Sequence, residues 1–158
     1  VLAKTRLSTG RSSLQPAVVP LGPLEAVAFL RSSGFSPRRV LSVRTEDGGR
    51  TWTDLAPTKL ANPDASVAAL RVSTGELLVA FNDSVVDRSN LKLAVSRDGG
   101  RSFAVLLAVE PPGGNASFQE LAYPWLLESS DGAIHLLYSW NRTAIVHVRY
   151  PPAARGPS

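Results

Sequence analysis

Polar side chains recur at matching positions of three otherwise apolar segments, and they are the first candidates for chemistry. When the segments are superposed by their turns, the matching residues are Gln15, Ser66 and Tyr123 at one position, and Arg31, Asn82 and Ser139 sixteen residues later. Among these residue types, a guanidinium binds a carboxylate through two parallel hydrogen bonds, which a lysine cannot imitate. The recurrence predicts a shared ligand-binding mouth. The alternative is that each polar residue only caps the end of a strand.

The segments belong to a sequence repeat. Two Asp-Gly-Gly turns begin at Asp47 and Asp98, 51 residues apart. Before each turn come three short runs of Val, Leu, Ala and aromatic residues bounded by Gly, Asp, Ser and Pro, which is typical of strands joined by hairpins. A third unit follows, with the apolar run AIHLLYSW at 133–140. No segment longer than about ten residues keeps a helical period free of Gly or Pro.

This repeat predicts an all-β fold. Four short strands per unit is the size of a β-propeller blade, and we expect three such blades at approximately residues 10–57, 62–110 and 118–150. A closed propeller needs roughly 4–8 blades, so the chain is predicted to be part of a larger propeller. An open stack completed by a partner chain is the alternative. The Pro-rich end at 151–158 is predicted to be a disordered tail.

The residue types of the two turns suit a structural role. Asp accepts backbone hydrogen bonds, Gly adopts positive φ, and the aromatic residue behind the turn can be buried between sheets. A calcium loop is the competing interpretation, but no ladder of acidic residues follows either turn. The residues concerned are Thr45, Asp47, Gly49, Thr51 and Trp52 in the first turn, and Ser96, Asp98, Gly100, Ser102 and Phe103 in the second.

The pattern S/T-x-D-x-G-x-T/S-W/F, repeated at blade spacing, resembles the Asp-box of the sialidase (neuraminidase) superfamily. The segments NPD (62–64) and YP…DGAIHLLYSW (123–140) strengthen the likeness, which extends from about Gln15 to Tyr150. The resemblance implies the C-terminal half of a six-bladed propeller, with about three four-stranded blades in this chain.

The resemblance also implies a catalytic site. Sialidases hold the substrate carboxylate with three arginines, use a Tyr activated by a Glu as nucleophile, and use an Asp as acid/base catalyst. By position, Tyr123 is similar to the nucleophile, while Arg31 and Arg88 are similar to two of the arginines. The third arginine and the acid/base Asp belong to N-terminal blades, so we expect the fragment to be inactive alone.

One position departs from the family pattern. Where the family has the Glu that activates the nucleophile, this chain has Gln15, which cannot accept the phenol proton. Glu120 is the nearest alternative carboxylate in sequence. In a regular strand from Glu120 to Tyr123, however, the two side chains would face opposite ways.

Three functions follow from the resemblance and the departure. The first is a sialidase-like glycoside hydrolase acting on terminal sialic acid or a related acidic sugar, with Gln15 among the substrate-binding residues. The second is a non-catalytic carbohydrate-binding or interaction propeller, and the third is another carbohydrate-active enzyme on the same scaffold. The expected partners are an acidic glycan or sialoglycoconjugate and the remaining propeller blades.

Composition narrows the range of possible functions and sites. The net charge of +4 favours anionic ligands, and the absence of cysteine excludes disulfides and thiolate sites. No apolar run approaches a membrane span, and no basic stripe or phosphate loop indicates nucleic acid. His135 and His147 lack metal-ligand spacing, so we predict no metal or cofactor. The compartment is undetermined, although three N-x-S/T triplets, including the one at Asn115, are compatible with a secretory pathway.

Overall fold

The computed structural model describes residues 4–8, 12–34, 37–109 and 119–152, and these ranges contain eleven β-strands. The strands are β1 (Ser13–Pro20), β2 (Ala26–Ser32), β3 (Arg39–Thr45), β4 (Ala56–Ala61), β5 (Ala68–Arg71), β6 (Leu77–Phe81), β7 (Lys92–Ser96), β8 (Ala104–Ala108), β9 (Leu121–Glu128), β10 (Ile134–Trp140) and β11 (Ala144–Tyr150). Within these ranges the structure has no helix capable of crossing a membrane. Asn115 and residues 153–158 of the expected tail lie outside the described residues.

The strands form three antiparallel sheets in chain order. The first sheet contains β1 to β4, the second contains β5 to β8, and the third contains β9 to β11. Within each sheet, every strand is hydrogen-bonded to the strand that precedes or follows it in sequence. Such consecutive up-and-down sheets are the blades of a β-propeller, and the predicted fold class is confirmed. The first sheet continues to Ala61, because β4 pairs with β3 from Ser42 back to Arg39.

The second sheet is buried on both faces. All five residues of β6 (Leu77–Phe81) are buried, since alternate side chains point to opposite neighbours. Phe81 joins the cluster shared with the first sheet, while Leu78 joins the cluster shared with the third. This double burial explains why β6 consists entirely of apolar residues with no polar alternation.

The two Asp-Gly-Gly turns link β3 to β4 and β7 to β8, at one end of the sheets. In the first turn the Asp47 carboxylate accepts hydrogen bonds from the Thr51 hydroxyl at 2.6 Å and from the Thr51 amide at 2.9 Å. The second turn repeats this arrangement, with Asp98 accepting from the hydroxyl and the amide of Ser102. The Thr51 hydroxyl is the largest cause that lowers the pKa of Asp47 to about 2.

The second turn also contributes to packing between sheets. The ring of Phe103 meets Phe29 of the first sheet edge-to-face, with centroids 5.8 Å apart. Gly100 has a positive φ of 83°, and a Cβ atom added there would lie 2.7 Å from Cζ of Phe29. The equivalent Gly49 has a similar φ of 84°, but the nearest atom to its added Cβ is 3.8 Å away. Gly100 is therefore required by both conformation and space, and Gly49 by conformation alone.

The matched glycines give a stability test. We expect Gly49→Ala to reduce the free energy of unfolding by about 1–2 kcal/mol, which is the cost of a left-handed residue with a Cβ. Gly100→Ala should cost about 1–3 kcal/mol more, because Phe29 must also move. Urea denaturation of both variants measures the difference. Equal losses would contradict the proposed contact between Gly100 and Phe29.

The turn carboxylates predict a dependence of stability on pH. The Ser102 hydroxyl is the main cause that lowers the pKa of Asp98 well below its ordinary value. A carboxyl whose folded pKa lies below its unfolded value, about 3.9, stabilises the fold above that pH and loses this contribution as the pH falls further. We expect the Tm of the wild type to fall between about pH 4 and pH 2, and Ser102→Ala to reduce this fall.

A control variant separates the effect of the hydrogen bond between Ser102 and Asp98 from the effect of removing a hydroxyl elsewhere. Ser13→Ala removes a hydroxyl that bonds Ser8 rather than a carboxylate, so the dependence of its Tm on pH should match that of the wild type. Circular dichroism melts across the acid range provide the measurement. An unchanged acid slope in Ser102→Ala would show that Asp98 does not contribute as proposed.

Candidate functional site

A connected network of polar side chains lies at the end of the sheets opposite the two Asp-Gly-Gly turns. At this end β1, β5 and β9 begin, while β2, β6 and β10 end. Because the three sheets are aligned, their loops meet here. The network residues are Gln15, Arg31, Asp64, Arg88, Glu120, Tyr123 and Arg142.

Two β-bulges place Gln15 and Tyr123 in this network. The register between β1 and β2 shifts after Leu14, and the register between β9 and β10 shifts in the same way beside Tyr123. Gln15 has a φ of 49° and Tyr123 a φ of 54°, and each precedes a proline, which has no amide to donate to the ladder. A bulge redirects a side chain out of the regular alternation. Both side chains are consequently exposed at the mouth.

Arg31, near the end of β2, is held by two acceptors. Its Nε donates to Oδ1 of Asp64 at 2.6 Å, and its Nη1 donates to Oε1 of Gln15 at 2.9 Å. Only 16% of the Arg31 side chain is exposed. The guanidinium is thus fixed across the boundary between the first sheet and the loop that follows it.

Asp64 is presented by a tight turn between β4 and β5. Asn62 is fully buried and closes this turn, since its side chain donates to the Ala65 carbonyl at 2.7 Å and accepts from the Ala65 amide at 3.0 Å. Asp64 itself adopts a φ of 66°. The turn therefore aims the Asp64 carboxylate at Arg31.

Arg88, in the loop between β6 and β7, connects Asp64 to the third sheet. Its Nη2 donates to the main-chain carbonyl of Asp64 at 2.8 Å, and its Nη1 donates to Oε1 of Glu120 at 3.1 Å. Its Cζ atom lies 5.8 Å from the centroid of the Tyr123 ring, within the range of a cation–π contact. Arg88 is therefore the residue that brings Asp64, Glu120 and Tyr123 together.

Glu120 and Arg142 complete the network beside the third sheet. Arg142 lies in the turn between β10 and β11, and its Nε is 2.9 Å from Oε2 of Glu120. Asn141 fixes the main chain of Glu120 from both sides, because its side chain accepts from the Glu120 amide at 2.7 Å while its own amide donates to the Glu120 carbonyl at 2.8 Å. Asn141 and Arg142 both have positive φ, at 48° and 56°.

The network combines three guanidinium groups with two carboxylates, so its formal balance is one positive charge. Such a surface can bind an anionic group, and its amide, phenol and carboxylates can hydrogen-bond the hydroxyls of a sugar. A groove of about 400 Å³ lies elsewhere, lined by residues that include Leu7, Trp52 and Leu55, and it contains none of the network side chains. That groove is therefore separate from the polar network.

The structure brings together Gln15, Arg31, Arg88 and Tyr123, the four residues that sequence reasoning assigned to substrate binding and catalysis. Regular alternation does not separate Glu120 from Tyr123, because β9 starts after Glu120 and bulges at Tyr123; both residues approach Arg88. Sequence reasoning did not find two members, Asp64 and Arg142. The sequence features that could have indicated them are an Asp in the NPD turn at 62–64 and an Arg two residues after the end of β10.

In the second sheet, the two positions of the repeat that carry the recurring polar residues have a different environment. Ser66 is buried, and its hydroxyl has no hydrogen-bond partner within the described residues. Asn82 is also buried and donates to the main-chain carbonyls of Leu121 and Asn90. Asn82 thus joins the second sheet to the third through Leu121, whereas the Ser66 side chain makes no such bond to the residues described.

The two histidines lie toward the other end of the third sheet. Nδ1 of His135 is 2.9 Å from Nε2 of His147, and Nε2 of His135 is 3.0 Å from the Ser129 hydroxyl. Across the residues that the structure describes, no group of three or more His, Asp or Glu side chains is arranged to hold a metal ion.

Comparison with a protein family covers most of the chain. The family described as BNR repeat-like domain matches residues 2–136. No curated protein matches the chain by sequence.

Solved structures provide the second comparison. The α-L-arabinanase of Penicillium chrysogenum, solved with arabinobiose, is 19% identical with a TM-score of 0.69, over 89% of this chain and 46% of that chain. The NanB sialidase of Streptococcus pneumoniae is 16% identical with a TM-score of 0.62, over 78% of this chain and 19% of that chain. The Hadza microbial sialidase Hz136 is 20% identical with a TM-score of 0.68, over 89% of this chain and 28% of that chain. The chain thus spans less than half of each of these proteins, and the likeness at these identities establishes the fold.

Two buried polar residues near the site provide a test of how it is held. We expect Asn62→Ala to lower the free energy of unfolding by about 1–3 kcal/mol, because it leaves the buried main-chain groups of Ala65 without partners. Ser66→Ala is the matched control, and it should change stability little or increase it, since the Ser66 hydroxyl has no partner in the described part of the chain. Urea denaturation compares the two. A larger loss for Ser66→Ala than for Asn62→Ala would contradict these assignments.

Proposed function

Since the chain belongs to the BNR repeat-like domain family, we propose that it forms part of a glycoside hydrolase that acts on a terminal acidic sugar, with sialic acid as the first candidate. The family and the solved structures support a glycoside hydrolase-like scaffold. The choice of an acidic sugar is the finer part of the proposal, and it depends on the network residues.

One observation supports this choice above the others: Arg31 and Arg88 are joined through Asp64, and Arg88 lies over the ring of Tyr123. Guanidinium groups beside a phenol suit a sugar that carries its own carboxylate. The arginines bind the carboxylate, and the neutral phenol approaches the anomeric carbon without the repulsion that a carboxylate nucleophile would meet.

The proposed reaction starts at Tyr123. Its phenol oxygen attacks the anomeric carbon, the glycosidic bond breaks, and the leaving oxygen takes a proton from an acid that we assign to the rest of the whole protein. Water then releases the sugar from Tyr123. Gln15 cannot accept the phenol proton, so we assign that role to a carboxylate near Arg88, for which Glu120 is the candidate in this chain.

The three sheets are proposed to be blades of a larger propeller. The chain spans 46% of the arabinanase chain and 28% of the Hz136 chain, which is consistent with further blades completing the site. Under this proposal the 158-residue chain binds the sugar weakly and is inactive alone, because the acid/base group and a further arginine come from the other blades.

A second candidate is a glycoside hydrolase for neutral sugars. Each arginine of the network is already paired with a carboxylate of the protein, and Asp64 and Glu120 give the site two carboxylates, the usual catalytic pair of glycosidases. A non-catalytic sugar-binding propeller is the remaining alternative, because Gln15 occupies the position where a base is expected.

The experiment compares substrates and variants in the whole protein. We expect hydrolysis of a fluorogenic sialoside but not of a fluorogenic arabinoside, and we expect Tyr123→Phe to lower kcat by at least about a thousandfold, the order seen when a nucleophile is removed. The control is Tyr150→Phe. Tyr150 lies on β11 opposite Ile134, at the other end of the third sheet, so this variant should keep wild-type activity.

Each result selects one candidate. Hydrolysis of the arabinoside alone would favour the neutral-sugar enzyme. Binding of either sugar without turnover would favour the binding module. Full activity of Tyr123→Phe on the sialoside would exclude Tyr123 as nucleophile.

A further inference from the structure

Two arginines of the site share one carboxylate. Glu120 accepts from Nη1 of Arg88 at 3.1 Å and from Nη2 of Arg142 at 3.2 Å, and its other oxygen lies 2.9 Å from Nε of Arg142. Each guanidinium therefore holds Glu120 in the way that it would hold the carboxylate of a ligand.

We propose that Glu120 is a specificity-determining residue, whose carboxylate competes with the anionic group of an acidic sugar for Arg88 and Arg142. The inference rests on the proposed function, because it concerns the selection of ligands at the same site. It adds Arg142 to the ligand-binding residues and gives Glu120 the role of setting how strongly the site prefers an acidic ligand over a neutral one.

The exposure of the side chains shows which ion pairs a ligand can replace. Arg142 has 74% of its side chain exposed, against 16% for Arg31. An ion pair open to water contributes little, so a ligand carboxylate can take the place of Glu120 on Arg142 at small cost. The pair between Arg31 and Asp64 is more buried, and so is the pair between Arg88 and Glu120, where 19% and 29% of the side chains are exposed. Arg142 is therefore the arginine that a ligand takes over first, and Arg88 is weakened but not vacated.

The main chain around Glu120 is arranged to keep this carboxylate in position. Asn141 bonds the amide and the carbonyl of Glu120, and the turn that carries Asn141 and Arg142 contains two consecutive non-glycine residues with positive φ. Positive φ at both central residues is the usual geometry of a tight hairpin turn, and this turn places Asn141 beside the main chain of Glu120. The two main-chain hydrogen bonds with Asn141 hold Glu120 where its carboxylate reaches both arginines.

The charge balance gives the direction of the effect. With Glu120 ionised, the network carries three guanidinium groups and two carboxylates. Removing the charge of Glu120 raises the balance by one and weakens the hold of this side chain on Arg88 and Arg142. An anionic ligand gains from both changes, whereas a neutral sugar gains from neither.

The test is the substitution Glu120→Gln in the whole protein. Gln keeps an oxygen that accepts from Arg88, and the hydrogen bonds of the main chain to Asn141 are unaffected. We expect the affinity for free sialic acid to rise about three- to tenfold, as for the release of partly exposed ion pairs. The affinity for arabinobiose, the neutral probe, should change less than about twofold. Isothermal titration calorimetry measures both, and the Tm confirms that the variant is folded.

Glu76→Gln is the matched control. Glu76 precedes β6 at the end opposite the network and pairs with Arg97, and 35% of its side chain is exposed, against 29% for Glu120. The substitution makes the same change of net charge without touching the site, so the affinity for sialic acid should stay within about twofold of the wild type.

Arg142 is tested in the Glu120→Gln background. There the added substitution Arg142→Gln should remove most of the gain, because the released guanidinium binds the ligand. If the affinity for sialic acid is unchanged or lower in Glu120→Gln while the wild type binds it, the inference about Glu120 is overturned and the proposed function stands. If neither protein binds sialic acid and both bind arabinobiose, the proposed function fails, and the inference fails with it.

Discussion

Burial of the second sheet on both faces is the constraint on which the site depends. Leu77, Val79 and Phe81 pack toward the first sheet, while Leu78 and Ala80 pack toward the third. Because each neighbouring sheet must match these rows of side chains, all three are aligned, and the loops at one end come together. The network contacts between Arg31, Asp64, Arg88 and Glu120 join loops of different sheets, so they would not form if one sheet slid along another.

The polar groups at the two ends of the sheets are consequently satisfied in different ways. At one end, the Asp47 and Asp98 turns satisfy their own polar groups locally, since each carboxylate bonds a hydroxyl and an amide four residues further on. At the other end, Arg88 is satisfied by groups 24 and 32 residues away in sequence. Local hydrogen bonds satisfy the turn carboxylates without any group from another sheet, whereas the polar groups at the second end depend on the docking of sheets.

This difference also explains how much could be predicted from the sequence. Strands and the Asp-Gly-Gly turns follow from short-range patterns, and the fold class was predicted from them. Gln15 and Arg31 were placed together from their recurring positions in the repeat, and they do lie on one hairpin, where Leu14 pairs with Arg31. Asp64 and Arg142 could not be found in that way. Their positions depend on left-handed main-chain conformations and on contacts between sheets. A short sequence pattern without glycine does not predict such conformations.

The bulges show why the scaffold alone does not determine the chemistry. Gln15 and Tyr123 occupy the same bulge in two different sheets, each before a proline and each with a left-handed main chain, and yet an amide and a phenol do different chemistry. Ser66, at the matching place in the second sheet, is buried. At each of the bulges in β1 and β9, the scaffold therefore turns one side chain out of the regular alternation. The identity of that side chain, together with the charged residues that the neighbouring loops bring to it, decides what the site can bind.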